Sequence, residues 1–329
     1  MAEAMVENEI VIRRMGPSDE PAVLALIEAA LGRQPDPRNA GFFAWKHAEN
    51  AYGPSPSWVA LDGERVVGLR TLMRWEFETP TGSARAVRAV DTATHPECQG
   101  RGIFSALTRQ ALAELREEGI DFVFNTPNDK SRPGYLKLGW QEVGKLPAGL
   151  LPSGLTSLPR IAAARTAAGM WSTPVEAGLP VPEALADDDE VWTLLKSLPA
   201  GSGIRTRRTP EYLRWRYGFE PLAYRALLAG TSPGDGLLLV RVRPRGRATE
   251  LVVADVLLPE ATPRAVRRLI RTALRATGAD YALGLRTTPS NGLLPLPGQG
   301  PILTWREVTS DAMPALPEWK LSLGDIELF

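Results

Sequence analysis

A glycine-bracketed turn, Gln99-Gly100-Arg101-Gly102-Ile103-Phe104, constrains this chain more than any other segment. An apolar-alternating stretch over residues 87–94 leads into it. An amphipathic pattern leads out, with Ile103, Leu107, Ala111 and Leu115 on one face. A strand, a glycine turn and a helix N-terminus together make an anion site. The first N–H groups of the helix lack intrahelical partners, the helix dipole adds partial positive charge, and glycine lets backbone approach a phosphate. The sequence holds no G-x-x-x-x-G-K-[ST], which argues against a P-loop. No G-x-G-x-x-G opens an early βαβ unit, which argues against a dinucleotide fold. The ligand expected here carries a pyrophosphate.

The residues around the turn narrow the reading. Thr94-His95-Pro96-Glu97-Cys98 forms a corner after the strand. The turn follows, then a helix to Glu118, a strand over 121–125, Asn128, Tyr135, and Leu138-Gly139-Trp140. In this order and spacing, residues 90–144 resemble the core of the GNAT superfamily of acyl-CoA N-acyltransferases. One departure is Phe104, where that family usually carries Gly or Ala. It implies a slightly displaced helix start or a bulkier wall beside the pantetheine.

Composition fits a soluble enzyme and excludes several alternatives. The 329 residues are enough for two domains of ordinary size. Lys plus Arg and Asp plus Glu both number 38, so no basic excess points to nucleic acid. No apolar run reaches the roughly 18–20 residues of a membrane span, and residues 1–9 have no signal-peptide core. A single cysteine, Cys98, cannot form an internal disulfide and reads as structural. Two histidines, His47 and His95, are too few for a zinc set, so no metal is expected. The expected location is cytoplasmic, with an oligomer compatible with the sequence.

Along the chain, strands are expected over 10–15, 58–61, 65–78, 87–94 and 122–124. Helices are expected over 22–31, 37–47, 103–118 and 130–138, with a hairpin turn at Asp62-Gly63. Residues 148–189 read as a Pro/Ala/Gly-rich connector with one helix near 161–170. The stretch 190–329 weakly repeats 1–147. Tyr212-Leu213-Arg214-Trp215-Arg216 matches Phe42-Phe43-Ala44-Trp45-Lys46, and Pro259-Glu260 matches Pro96-Glu97. Ala261-Thr262-Pro263-Arg264 replaces the glycine turn, and its proline removes a donor. Either the likeness is chance, or a second copy kept the fold and lost the anion site. The layout resembles tandem GNAT proteins of the mycothiol-synthase and enhanced-intracellular-survival types. The expected fold class is therefore α+β: two GNAT-like domains, each a mixed, mainly antiparallel sheet flanked by helices.

The resemblance implies a chemistry. Acetyl-CoA or another acyl-CoA would be the co-substrate, and a small-molecule amine would attack its thioester directly. Backbone groups near Ala93 and Thr94 would bind the pantetheine and polarise the carbonyl. Gln99 and the N–H groups of Gly100, Arg101, Gly102, Ile103 and Phe104 would hold the pyrophosphate. Asn128 would anchor the pantetheine arm, and Tyr135 would give a proton to the sulfur. Other readings stand beside these. Tyr135 could cap the core through its ring, Asn128 could cap a helix, and the Arg101 and Arg109 side chains could be solvated rather than touch phosphate. Asp91 is a candidate base, or a strand-edge carboxylate bonded to nearby backbone. The carboxylate of Phe329 would be the base by analogy with the enhanced-intracellular-survival type, or the terminal segment merely packs. Two further functions stay open: a transferase of this fold using a carrier-protein or aminoacyl-tRNA donor, and a non-catalytic acetyl-CoA sensor.

Overall fold

The computed structural model describes residues 9–32, 34–199, 201–288, 292–310 and 312–327. Strands β1–β6 span Ile10–Arg14, Ser57–Asp62, Arg65–Thr79, Gly82–Thr94, Phe122–Asn125 and Gln141–Lys145. Strands β7–β12 span Ala148–Pro152, Leu179–Pro180, Arg205–Thr206, Arg225–Leu228, Leu237–Arg245 and Ala248–Leu257. Strands β13–β15 span Tyr281–Leu285, Leu294–Leu296 and Ile302–Glu307. Helices α1–α5 cover Glu20–Leu31, Arg38–His47, Ile103–Glu117, Arg132–Lys137 and Leu158–Ala163. Helices α6–α9 cover Val181–Ala184, Asp188–Ser197, Pro210–Gly218 and Pro263–Thr277.

The amphipathic α3 buries Ile103, Leu107, Ala111 and Leu115 against Trp58, Leu72, Val87 and Val123 of the sheet beneath. Gly68 makes this approach possible, because a Cβ there would sit 2.6 Å from Ile103 and 3.0 Å from Leu107. The helix crosses between β4 and β5, the parallel pair of the first sheet. α9 does the same between β12 and β13 of the second sheet, burying Val266, Ile270, Ala273 and Leu274.

The first sheet runs β1-β2-β3-β4-β5-β15-β6, with β9 also paired to β3. The second runs β14-β7-β13-β12-β11-β10-β8. Each therefore has a parallel pair followed by an inserted antiparallel strand. That strand comes from the other half of the chain. β15 lies between β5 and β6, and β7 lies between β13 and β14. Two strands thus cross the divisions expected at 147 and 190. The stretch expected as a connector contributes β7, an interior strand of the second sheet, and its helix lies at 158–163 rather than 161–170.

The two halves repeat each other in space as well as in topology. Trp45 of α2 donates from Nε1 to the Trp215 carbonyl at 2.6 Å. Trp215 of α8 returns the same bond to the Trp45 carbonyl at 2.7 Å. Their rings stack 5.7 Å apart. Such a reciprocal contact is the mark of an isologous interface. One core joins both sheets, with Trp75, Phe77 and Phe124 packed against Tyr212, Leu239 and Val252.

Candidate active site

The site is built by a strand that leaves its neighbour. β4 and β5 pair only at Ala86–Arg88 with Phe122–Phe124, and β4 then continues alone to Thr94. On its other edge β4 stays paired with β3, Ala93 facing Leu69 and Thr94 facing Gly68. Val90 faces Thr71, so Asp91 and Thr92 together oppose Arg70 and form a bulge. Asp91 there has φ +40°, a left-handed conformation that a short polar side chain tolerates better than most.

The glycine turn lies beyond the end of β4. Gly100 and Gly102 have φ of +81° and +76°, and a Cβ at either would point into open space. Gly102 is the N-cap of α3 and supplies no side-chain cap. Among the described residues, the backbone N–H groups from Gly100 to Ser105 donate to no protein acceptor. Gln99 reaches back weakly to the Thr94 carbonyl at 3.5 Å. The equivalent end of α9 is closed on itself: Thr262 Oγ1 accepts the Ala265 N–H at 3.2 Å, and Pro263 has no N–H to offer. The open set of donors at α3 therefore fits a pyrophosphate and the closed set at α9 does not.

The Arg101 side chain is not aimed into this cradle. It pairs with Asp62 at 2.8 Å, which holds its guanidinium above its usual value, so only its backbone N–H is free for an anion. α3 starts at Ile103, and the Phe104 ring stands edge-on to Tyr135, 5.5 Å between centroids. Asn128 Oδ1 accepts from the N–H groups of Lys130 and Ser131 ahead of α4, at 3.0 and 2.9 Å. The cap uses its oxygen and leaves Nδ2 as a donor. Tyr135 is buried on α4, and its hydroxyl accepts a hydrogen bond from Arg70 Nη1 at 2.9 Å.

Asp91 bonds to two side chains of α2. Lys46 Nζ and His47 Nε2 both reach Asp91 Oδ2, the latter at 2.9 Å, and the Asp91 side chain is 4% exposed. The other His47 ring nitrogen, Nδ1, lies 3.0 Å from Ser55 Oγ. Arg88 sits where β4 and β5 part. It donates to the carbonyls of Asp325 and Ile326 and to Thr126 Oγ1. Burial, opposed by Asp325, pulls its guanidinium down to about 9. Phe329 lies outside the described residues.

Arg70, Lys46, His47 and Arg88 were missed by sequence reasoning. The two neighbours on α2 fell inside a predicted helix but had no spacing that tied them to Asp91.

The second sheet repeats the splay and the bulge without the anion turn. β12 and β13 pair only over Glu250–Val252, and Ala254 bulges between the Leu239–Asp255 and Val240–Val253 pairs. The Gly324 N–H donates to the Ala254 carbonyl at 2.8 Å, so the chain's own late segment occupies that edge. A cavity of about 460 Å³ remains beside it, lined by Val253, Asp255, Leu285, Arg208 and Ser322 among others. Among the described residues there is no group of three or more His, Cys, Asp or Glu that could hold a metal, and no helix long and apolar enough to cross a membrane.

A mixed sheet with a splayed parallel pair, a bulge on the splayed strand and an open amide turn defines a GNAT-type fold, here in tandem. Residues 11–143 match the family model of the acetyltransferase (GNAT) domain, and solved structures share the fold over most of the chain. A conserved Enterococcus faecalis V583 protein described as a probable N-acyltransferase superposes with a TM-score of 0.66 at 13% identity, covering 92% of this chain and 73% of that one. A GCN5-related N-acetyltransferase from Kribbella flavida gives 0.60 at 13% identity, covering 93% and 72%. Eis1 from Mycobacterium abscessus gives 0.57 at 15% identity, covering 91% and 74%. No curated protein matches this sequence.

Proposed function

We propose that this protein moves an acetyl or other short acyl group from acyl-CoA to the amine of a small molecule, within a ternary complex. The observation that carries this reading is the run of unpartnered N–H groups from Gly100 to Ser105, set at the mouth of the β4–β5 splay with the Tyr135 hydroxyl nearby. The turn would hold the pyrophosphate. The free edge of β4 near Ala93 and Thr94, with Asn128 Nδ2, would hold the pantetheine arm. The second half, whose open turn is gone, would support the first and line part of the acceptor cleft.

In the proposed step the amine nitrogen attacks the thioester carbonyl and the C–S bond breaks. Its electron pair stays on sulfur, which takes the Tyr135 proton. Once attack has begun the nitrogen becomes strongly acidic, so even a weak base suffices. Asp91 is the carboxylate on the bulge itself. Bonded to Lys46 and His47, it is the group that would take that proton. Location in the cytoplasm would fit a soluble acyl-CoA enzyme.

The test is calorimetric titration with acetyl-CoA, followed by an amine screen that reads free-thiol release. One site per chain with turnover on an amine is the expected result. Tyr135→Phe should lower kcat about 10²–10⁴-fold while leaving acetyl-CoA affinity intact. Binding with no turnover on any amine would favour the sensor function. No binding would favour a carrier-protein or tRNA donor.

A further inference from the structure

Arg70 is fully buried on β3, yet it has no carboxylate partner among the described residues. Its Nη1 donates to Tyr135 Oη at 2.9 Å and to Thr92 Oγ1, on the bulge, at 2.8 Å. Its Nε and Nη2 are buried and make no hydrogen bond. Three aromatic rings close around the guanidinium: Tyr135 at 5.1 Å, Phe104 at 5.5 Å and Trp140 at 5.8 Å from its central carbon. An arginine kept out of water without a counter-charge is costly, by several kcal/mol per ion in general. Ring faces recover part of that and leave two donors idle. A cost of this kind persists where an anion arrives during function. The group bonded to Arg70 is the one proposed to face the donor sulfur.

We propose that Arg70 is a positioning residue that makes the site complementary to negative charge on the donor sulfur, acting through the Tyr135 hydroxyl. The Arg70 N–H occupies a lone pair of the phenol oxygen, so the phenol's own O–H is turned away from Arg70 and toward the sulfur. As the C–S bond breaks, its electron pair goes to sulfur and the phenol proton follows. Negative charge then passes to the phenol oxygen, where Arg70 already donates. The amine's proton, released to Asp91 and solvent, returns the phenol to its starting state. Reactants and products balance as acyl-CoA plus amine giving amide plus free CoA. The unsatisfied Nε and Nη2 keep the guanidinium's charge from being spent elsewhere, and the bond to Thr92 fixes it to the bulge.

The inference rests on the acyl-CoA reading, and its test needs no acceptor amine. Free CoA is bound to the full chain, and its thiolate is followed by far-ultraviolet absorbance against pH. A thiol ordinarily ionises near pH 8.5. On the wild type, the bound thiol should ionise roughly one pH unit lower. On Arg70→Met it should return to the free value, and Arg70→Lys should fall between. Acetyl-CoA affinity, read by calorimetry, should agree within about threefold across all three. Because Met removes an uncompensated buried charge, the Met variant should unfold no lower than wild type. Equal ionisation of the thiol on wild type and Arg70→Met overturns the proposal while the acyl-CoA reading stands. A Met variant that loses both stability and acetyl-CoA binding also overturns it, because Arg70 is then a framework residue. Failure of the wild type to bind CoA overturns the acyl-CoA reading, and this proposal with it.

Discussion

Gly102→Ala and Gly32→Ala place the same strain in two different parts of the molecule. Gly102 caps the start of α3 with φ +76°, and Gly32 caps the end of α1 with φ +63°. At both, an added Cβ meets nothing within 4 Å. No clash distinguishes them, so each substitution costs only the left-handed penalty, about 1–2 kcal/mol. Gly32→Ala should therefore unfold about 1–3 °C below wild type, from about 2.1 cal/mol/K per residue over 329 residues, and Gly102→Ala should fall by less, because its exposed turn can relax. Their effects on ligand binding should differ. The exposed turn at Gly102 can relieve its strain by leaving the left-handed region, which scatters the N–H groups of 100–105. Rebinding a pyrophosphate then requires the strain to be restored. At 1.4 kcal/mol per factor of ten, this weakens acetyl-CoA about 5- to 30-fold. Gly32 has no such role, and its variant should bind as wild type does. The assays are a thermal melt and a calorimetric titration on each protein. If both variants keep full affinity, the amide cradle does not hold the ligand. If both lose affinity equally, strain acts through general stability and the local argument fails.

Three other outcomes are expected. Burial alone would raise the Glu327 carboxyl, but Arg241, Arg243 and Arg216, with the Tyr224 hydroxyl, outweigh it and hold Glu327 below the usual glutamate range. The sign follows: its stabilisation is complete above the ordinary glutamate value near pH 4.3 and is lost as pH falls toward the lower folded value. Denaturant melts of wild type and Glu327→Gln should therefore differ by about 3–5 kcal/mol near neutrality and converge in acid; a gap constant with pH would refute this. Gly324→Ala would put a Cβ 2.1 Å from the Tyr217 hydroxyl and 3.0 Å from the Ala254 carbonyl. Thermal unfolding should show a loss of about 1–3 kcal/mol, as for other overpacked sites, and an unchanged melt would show that the segment is loose. Trp305→Ala removes a ring only 1% exposed from β15, at a cost of about 3–5 kcal/mol. Calorimetry should show both halves melting together at the lower temperature, whereas two separated transitions would contradict the shared core.

Much of the first site was legible because it is local. The turn, the amphipathic face of α3, the short β5 and the capped α4 each depend on neighbours within a few positions, so sequence placed them within a residue or two. The Trp45–Trp215 relation was visible as a repeated segment, though not the mutual hydrogen bonds. The strand exchange was not legible. β7 and β15 are only five and six residues long, and nothing in such a segment says which of two similar sheets it joins. Register between distant strands is set by the whole sheet. Arg70 was hidden for a related reason. In Arg65-Val66-Val67-Gly68-Leu69-Arg70 polar and apolar positions do not alternate, so the sequence does not say which face Arg70 takes. The rings of Tyr135 on α4, Phe104 on α3 and Trp140, folded over it, make it a buried cation. Asp91 was noticed as a carboxylate on the right strand, but its partners lie more than forty positions earlier on α2.

The exchange of β7 and β15 also bears on how the protein is made. The gap between β5 and β6 is filled by residues 302–307. A ribosome adding about 5–20 residues per second has finished residue 145 well before it reaches 302. For that interval, many seconds long, the first sheet ends on the open edge of β5, and β6, whose strand partner among the described residues is β15, has no sheet to join. Such edges are templates for pairing with other chains. A nascent first half is therefore exposed to mispairing with its neighbours on the same messenger, and a chaperone that shields apolar strands as they leave the ribosome should matter more to its yield than to its final stability.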